Sequence, residues 1–158
     1  MILSFINQKG GVGKTTLSIN VASCLALSEK KVLLIDADPQ KSSMDWANVR
    51  QGERKFNVIS LATSTVHKEI ELLKPNYDYI IIDAPGNLSN VTRSVIVGSD
   101  KIIIPILPSP YDIWAADDII TTIKDVKEIA SNIDPEVHFL INQKIANTKP
   151  LRKKGKII

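Results

Sequence analysis

Short apolar runs separated by longer stretches of mixed character set the rhythm of this chain. Runs of β type fall at Ile2–Ile6, Val32–Asp36, Asn57–Leu61, Tyr79–Asp83, Lys101–Ile106 and Val137–Asn142. Three of them contain the unbroken apolar triplets LLI (33–35), III (80–82) and III (102–104). Strands of that composition are buried on both faces, as in a parallel sheet covered by helices. The intervening segments read as helices at Thr15 to about Ser28, Ser43–Gln51, Val66–Leu73, Asn90–Val97 and Asp112–Ile133. In the last, Ile119, Ile123, Val126, Ala130 and Ile133 recur every three or four residues and make one apolar face, which Asp134-Pro135 ends. In the first, Leu17, Val21, Cys24 and Leu25 form the expected stripe, with Cys24 as a buried packing residue. The alternation predicts a doubly wound α/β domain with a mostly parallel sheet and right-handed crossovers. Ligands of such folds gather at the carboxyl ends of the strands.

Composition narrows the class. The 158 residues suit one domain over 1–143 and a basic tail over 144–158. Apolar residues make up 44% and charged residues 23%, ordinary for a soluble globular protein. No apolar stretch is long enough to cross a bilayer, and no secretory leader is expected, because the first strand runs directly into a glycine-rich loop. One cysteine, Cys24, excludes a disulfide framework or a thiolate cluster. A cytoplasmic protein fits these features. The net charge of +3 is unevenly spread: Lys144, Lys149, Arg152, Lys153, Lys154 and Lys156 lie in the tail, which has no acid. Such a tail either attracts phosphate backbones or anionic lipid, or is simply a solvated end.

The chemistry sits at the start. Residues 9–16 read KGGVGKTT between the first strand and the first helix. Gly10, Gly11 and Gly13 let the backbone around Val12 fold tightly, so that several N–H groups can face one hollow, and the helix adds the positive end of its dipole. In such a cradle Lys14 reaches the β- and γ-phosphates of ATP or ADP, and the Thr15 hydroxyl ligates Mg²⁺. The strict P-loop pattern would place glycine at position 8, where this chain has Gln8. A glycine-rich turn without a ligand is the plainer alternative.

Aspartates stand where the sheet should meet the phosphates. Asp83 closes the fourth strand in YIIIDAPG and is the candidate for holding Mg²⁺, with helix capping as the alternative. Asp36 and Asp38 close the second strand in LLIDADPQ. One could join the metal's outer shell while the other orients a water, or the pair could simply mark a turn at Asp38-Pro39.

Together KGGVGKTT, DADPQ and IIIDAPG resemble the deviant Walker A ATPases of the ParA/MinD group. The segment IPILPSPYDIWAADDI (104–119) and the short length resemble most the small plasmid (ParF-like) partition ATPases. The resemblance covers residues 1 to about 148 and implies a P-loop NTPase fold shortened at its carboxyl end. It makes Lys9 the signature lysine, reaching the nucleotide of a second subunit, so that ATP drives homodimerisation. It makes Lys14 the phosphate-binding lysine, Thr15 the Mg²⁺ ligand, Thr16 an α-phosphate contact, Asp38 the water-orienting residue and Asp83 the Walker B acid. Asp36 would support the metal through water, and Asn142 would contact adenine. Lys41 stands where relatives usually carry glycine, and Gln143 where they often carry arginine. The implied function is ATP hydrolysis by a switch for DNA segregation in the bacterial cytoplasm at the nucleoid, with non-specific DNA binding in the ATP state and a centromere-binding partner. Membrane attachment of the MinD kind and a non-hydrolysing interaction protein are the alternatives; the first calls for a terminal amphipathic helix, which Pro150 and Gly155 interrupt.

Overall fold

Successive side chains on the central strands fall alternately into two cores. The computed structural model describes residues 1–144, so the basic tail beyond Lys144 lies outside the described residues. Its strands are β1 (Ile2–Phe5), β2 (Val32–Asp36), β3 (Asn57–Ser60), β4 (Tyr79–Asp83), β5 (Lys101–Ile106) and β6 (Glu136–Ile141). They form one sheet in the order β3-β2-β4-β1-β5-β6, with every pairing parallel. Ile2, Leu33, Ile35, Ile80, Ile82, Ile102 and Ile104 pack on one face, with side chains of α3 (Val66–Leu73), α4 (Asn90–Val97) and α5 (Pro110–Ile129). Phe5, Val32, Leu34 and Ile81 face the other way, toward Ile19 and Ala22 of α1 (Lys14–Leu27) and Trp46 of α2 (Ser42–Val49). Each fully buried isoleucine contributes about 1.5–3 kcal/mol relative to an exposed one. The triplets on β2 and β4 therefore anchor the middle of the sheet, and the expected doubly wound, mostly parallel architecture is the observed one.

Two expectations are corrected. Of the expected α1 stripe, Leu17, Val21 and Leu25 are half-buried and pack against the core, but Cys24 is exposed, and the most deeply buried positions are Lys14, Ser18, Ile19 and Ala22. The loop before α1 turns Lys14 inward, and residues four and eight positions later must follow it. Ser18 tolerates that burial because its hydroxyl donates to the Thr15 carbonyl at 2.9 Å. The long helix α5 starts at Pro110, two residues before the expected Asp112, and stops at Ile129 rather than Ile133. Proline is well suited to a first helical turn, and Ser131-Asn132 form a turn that returns Ile133 to the core.

Among the described residues β3 and β6 are the two edges of the sheet. Phe139, Leu140 and Ile141 are among the exposed large apolar residues, and β6 is laddered to β5 from Lys101↔Glu136 to Ile106↔Ile141.

Candidate nucleotide site

The loop between β1 and α1 is held at both of its ends. Asn7, only 2% exposed, donates through Nδ2 to the Pro105 carbonyl at 2.6 Å and accepts the Lys9 N–H on Oδ1 at 2.8 Å. On the far side Asn142 donates to the Val12 carbonyl at 2.9 Å, and Gln143 to the Gly11 carbonyl at 3.1 Å. Gly11 and Gly13 have φ of +74° and +94°, the left-handed region that favours glycine. Gly13 caps α1 without a side-chain acceptor. The first N–H groups of the helix are therefore left for a ligand, and an anion is what they suit. Gly10 and Thr16 are exposed, and Val12 is fully buried.

Parallel register brings the acids to this loop. Asp83 pairs with Phe5 on one side and with Asp36 on the other, so both carboxylates leave the sheet beside the loop. Asp83 is 1% exposed and accepts the Ser43 hydroxyl on Oδ2 at 2.7 Å, while its buried Oδ1 has no hydrogen-bond partner among the described residues. The Thr15 hydroxyl also acts on this carboxylate. Asp36, fully buried, is engaged by main-chain donors: Asp38 N–H on Oδ1 at 3.1 Å and Met44 N–H on Oδ2 at 2.9 Å. It thereby fixes the start of α2 and, with it, Ser43. Asp38 accepts the Gln40 N–H at 2.9 Å and is only half-buried, beside the loop. Lys41 adopts φ +55°, the conformation that a glycine would take without strain; in lysine it costs about 1–2 kcal/mol.

Charge is compressed here. Burial lowers the pKa of Lys14, opposed by the charges of Asp83 and Asp38. Its Nζ donates to the Lys9 carbonyl at 3.2 Å. Burial likewise raises Asp36, against the three backbone N–H groups that favour its ionised form. Asp83 is pushed up to about 6, chiefly by burial and in part by Asp36, against the hydrogen bonds of Ser43 and Thr15 and the charge of Lys14. A carboxyl raised in this way binds its proton more tightly in the folded chain than in the unfolded one. Its contribution to stability is therefore present below about pH 4 and is lost as pH rises toward 6. Asp83→Asn should remove that loss. Without ligand, the variant should be more stable than the parent at pH 8, by up to about 3 kcal/mol, with little gain at pH 4. Urea unfolding at the two pH values checks this, and an equal gain at both would contradict it.

The structure thus brings Lys14, Thr15, Asp36, Asp38 and Asp83 together around the loop. It sends Lys9 elsewhere: its Nζ lies 2.8 Å from Asp112 of α5 in the same chain. Sequence reading missed Asn7, Ser43 and Asp112. Ser43 follows Asp36 by seven residues and offers no spacing signal, and Asp112 is 103 residues from Lys9.

A family model described as an AAA domain matches residues 1–71 and 42–137. Chromosome-partitioning proteins recur among the relatives. The chain is a member of the ParA/MinD family. It is 34% identical over 145 residues to the maintenance of carboxysome distribution protein A of Halothiobacillus neapolitanus, a match covering 89% of this chain and 65% of that protein. It is 29% identical over 167 residues to the sporulation initiation inhibitor protein Soj of Bacillus subtilis, covering 80% of this chain and 66% of the relative. This family member spans slightly less than two thirds of the length of both. Two solved structures share the fold. A plasmid partition protein from Borrelia burgdorferi has TM-score 0.76 at 22% identity, covering 94% of this chain and 81% of its own. Cobyrinic acid a,c-diamide synthase from Mycobacterium smegmatis, with bound ATP analogue and magnesium, has TM-score 0.82 at 20% identity, covering 94% and 77%. Among the described residues no helix is long and apolar enough to cross a membrane.

Proposed function

We propose that this ParA/MinD family member is an ATP-driven dimerising switch that hydrolyses ATP to ADP and phosphate and positions a DNA-borne cargo. The observation that carries the reading is the meeting of Lys14, Thr15 and Asp83 at the glycine-rich loop that opens α1, with one buried Asp83 oxygen unpartnered among the described residues. That oxygen and the Thr15 hydroxyl fit a Mg²⁺ ion, with Asp36 supporting it through water. The metal's contribution is to neutralise charge on the β- and γ-phosphates.

The chain's own residues do the remainder. Lys14 and the loop amides, with Thr16 on the α-phosphate, bind and orient the triphosphate, and Asn142 faces the base. Asp38, half-exposed at the mouth, orients the attacking water. Lys9 of one subunit reaches the phosphates of the other. Catalysis then rests on positioning and charge stabilisation, without a covalent intermediate. In the ATP state the paired subunits hold DNA without sequence preference, through basic residues and phosphates. A centromere-binding partner stimulates hydrolysis and separates them. The chromosome-partitioning relatives favour a plasmid or chromosome as cargo, and the carboxysome-distribution relative favours a protein compartment.

Lys9→Ala should bind MgATP within about threefold of the parent and yet stay monomeric by light scattering where the parent pairs. Dimers of Lys9→Ala would refute the cross-subunit role. Release of phosphate by the parent, with ADP and phosphate formed only when Mg²⁺ is present, tests the reaction itself; a parent chain that binds ATP without turnover would make this a nucleotide-gated binding protein instead. Retardation of DNA that weakens steeply with salt, against flotation with anionic liposomes, separates the DNA track from a membrane.

A further inference from the structure

Lys9 is bonded within its own chain. Its Nζ sits 2.8 Å from Oδ2 of Asp112, in the first turn of α5. The two ends of this pair differ. The Lys9 side chain is 41% exposed and long enough to swing, whereas the Asp112 side chain is 1% exposed and fixed. The other oxygen of Asp112 is buried and has no hydrogen-bond partner among the described residues. A buried, half-satisfied carboxylate depends on its cation, so Asp112 holds Lys9 more firmly than a surface acid would. The neighbouring loop residue follows the same path, since Gln8 Nε2 donates to Asp118 Oδ2 at 2.7 Å on the same helix. Lys14 in turn donates to the carbonyl of Lys9. The entrance of the loop, its second cation and the start of α5 are therefore one connected set of bonds.

We propose that Asp112 is a holding site for the Lys9 ammonium, a positioning residue that keeps this cation on its own chain and so sets how much nucleotide is needed before two copies pair. The inference rests on the cross-subunit reading of Lys9. Before Lys9 can reach a phosphate on the second copy it must leave Asp112, and the carboxylate it leaves is buried with neither oxygen answered. That exchange subtracts from the free energy of pairing. It becomes favourable only when a triphosphate offers more than one charged oxygen in return. Asp112 thus acts as a threshold against pairing without nucleotide. A purely structural role, an acid favouring the positive end of the α5 dipole, predicts altered stability and an unaltered threshold.

The test compares the parent, Asp112→Asn and Lys9→Ala as full chains, titrated with magnesium and a non-hydrolysable ATP analogue. The dimer fraction is read by light scattering at one protein concentration. Asp112→Asn should reach half-pairing at about tenfold less nucleotide, the effect of losing one charge-assisted hydrogen bond. An unchanged or higher midpoint, with Lys9→Ala still unable to pair, overturns the holding site alone. Pairing by Lys9→Ala overturns the cross-subunit reading and the holding site with it. A second readout is the ¹⁵N-lysine NMR signal of the Lys9 ammonium, assigned by its loss in Lys9→Ala. It should move when nucleotide is added to the parent, and this holds even if Asp112→Asn fails to fold. A signal that nucleotide leaves in place overturns the proposal.

Discussion

Lys14→Ala should bind MgATP at least about 100-fold more weakly than the parent and remain folded. Lys14 is 8% exposed and already stripped of most of its water, so it offers a charged donor at little further desolvation cost. Charge-assisted hydrogen bonds contribute about 1.5–3 kcal/mol each, and two of them to phosphate oxygens give the stated factor or more. Folding should suffer less. Removing the ammonium deletes a desolvated charge but withdraws the cation that favours ionised Asp83, and the two effects oppose each other. Calorimetry with magnesium nucleotide measures the affinity. A value within about threefold of the parent would place the triphosphate outside this loop.

Gly13→Ala should damage both the fold and the site. Its φ of +94° is strained for any L side chain, and an added Cβ would lie 2.4 Å from Asn142 Nδ2. Asn142 would have to abandon the Val12 carbonyl. The backbone term costs about 1–2 kcal/mol and the lost hydrogen bond about 0.5–1.5 kcal/mol. We expect a destabilisation of about 2–3 kcal/mol in urea, with nucleotide affinity reduced at least about tenfold because the hollow loses its shape. Gly10→Ala supplies the contrast, since nothing lies within 4 Å of its added Cβ and its φ is not positive. It should fold like the parent. Adding Asn142→Ala to Gly13→Ala should recover the steric part of the loss, and a strictly additive double variant would deny the clash.

The parts of this fold that could be read from the sequence are those where one local rule governed. The unbroken apolar triplets of β2 and β4 can only be satisfied between two helical layers, and the bounds of α3 and α4 came out as Val66–Leu73 and Asn90–Val97, as expected. The loop was legible because glycine, lysine and threonine at that spacing have few other uses. The buried face of α1 was legible only in part: Leu17, Val21 and Leu25 pack on the core as their spacing implies, but the loop also turns Lys14, Ser18 and Ala22 inward and leaves Cys24 outside. The extent of α5 was missed for a similar reason: its apolar spacing runs on past Ile129, and only the turn at Ser131-Asn132 breaks it. At the site, Asp83 and Asp36 were legible as acids at strand ends. Ser43 and Asn7 were hidden, since each gains meaning only from register and long-range contact. Lys9 was legible as an additional cation, but its bond to Asp112 joins residues 103 positions apart.

Asn142 and Gln143 grip the loop from the end of β6, which among the described residues leans on β5 alone. The seat of the phosphates is therefore only as steady as the sheet's rim. A fluctuation that peels β6 away from β5 releases the Val12 and Gly11 carbonyls as well, so slackness at the margin reaches the hollow while the central strands stay shut.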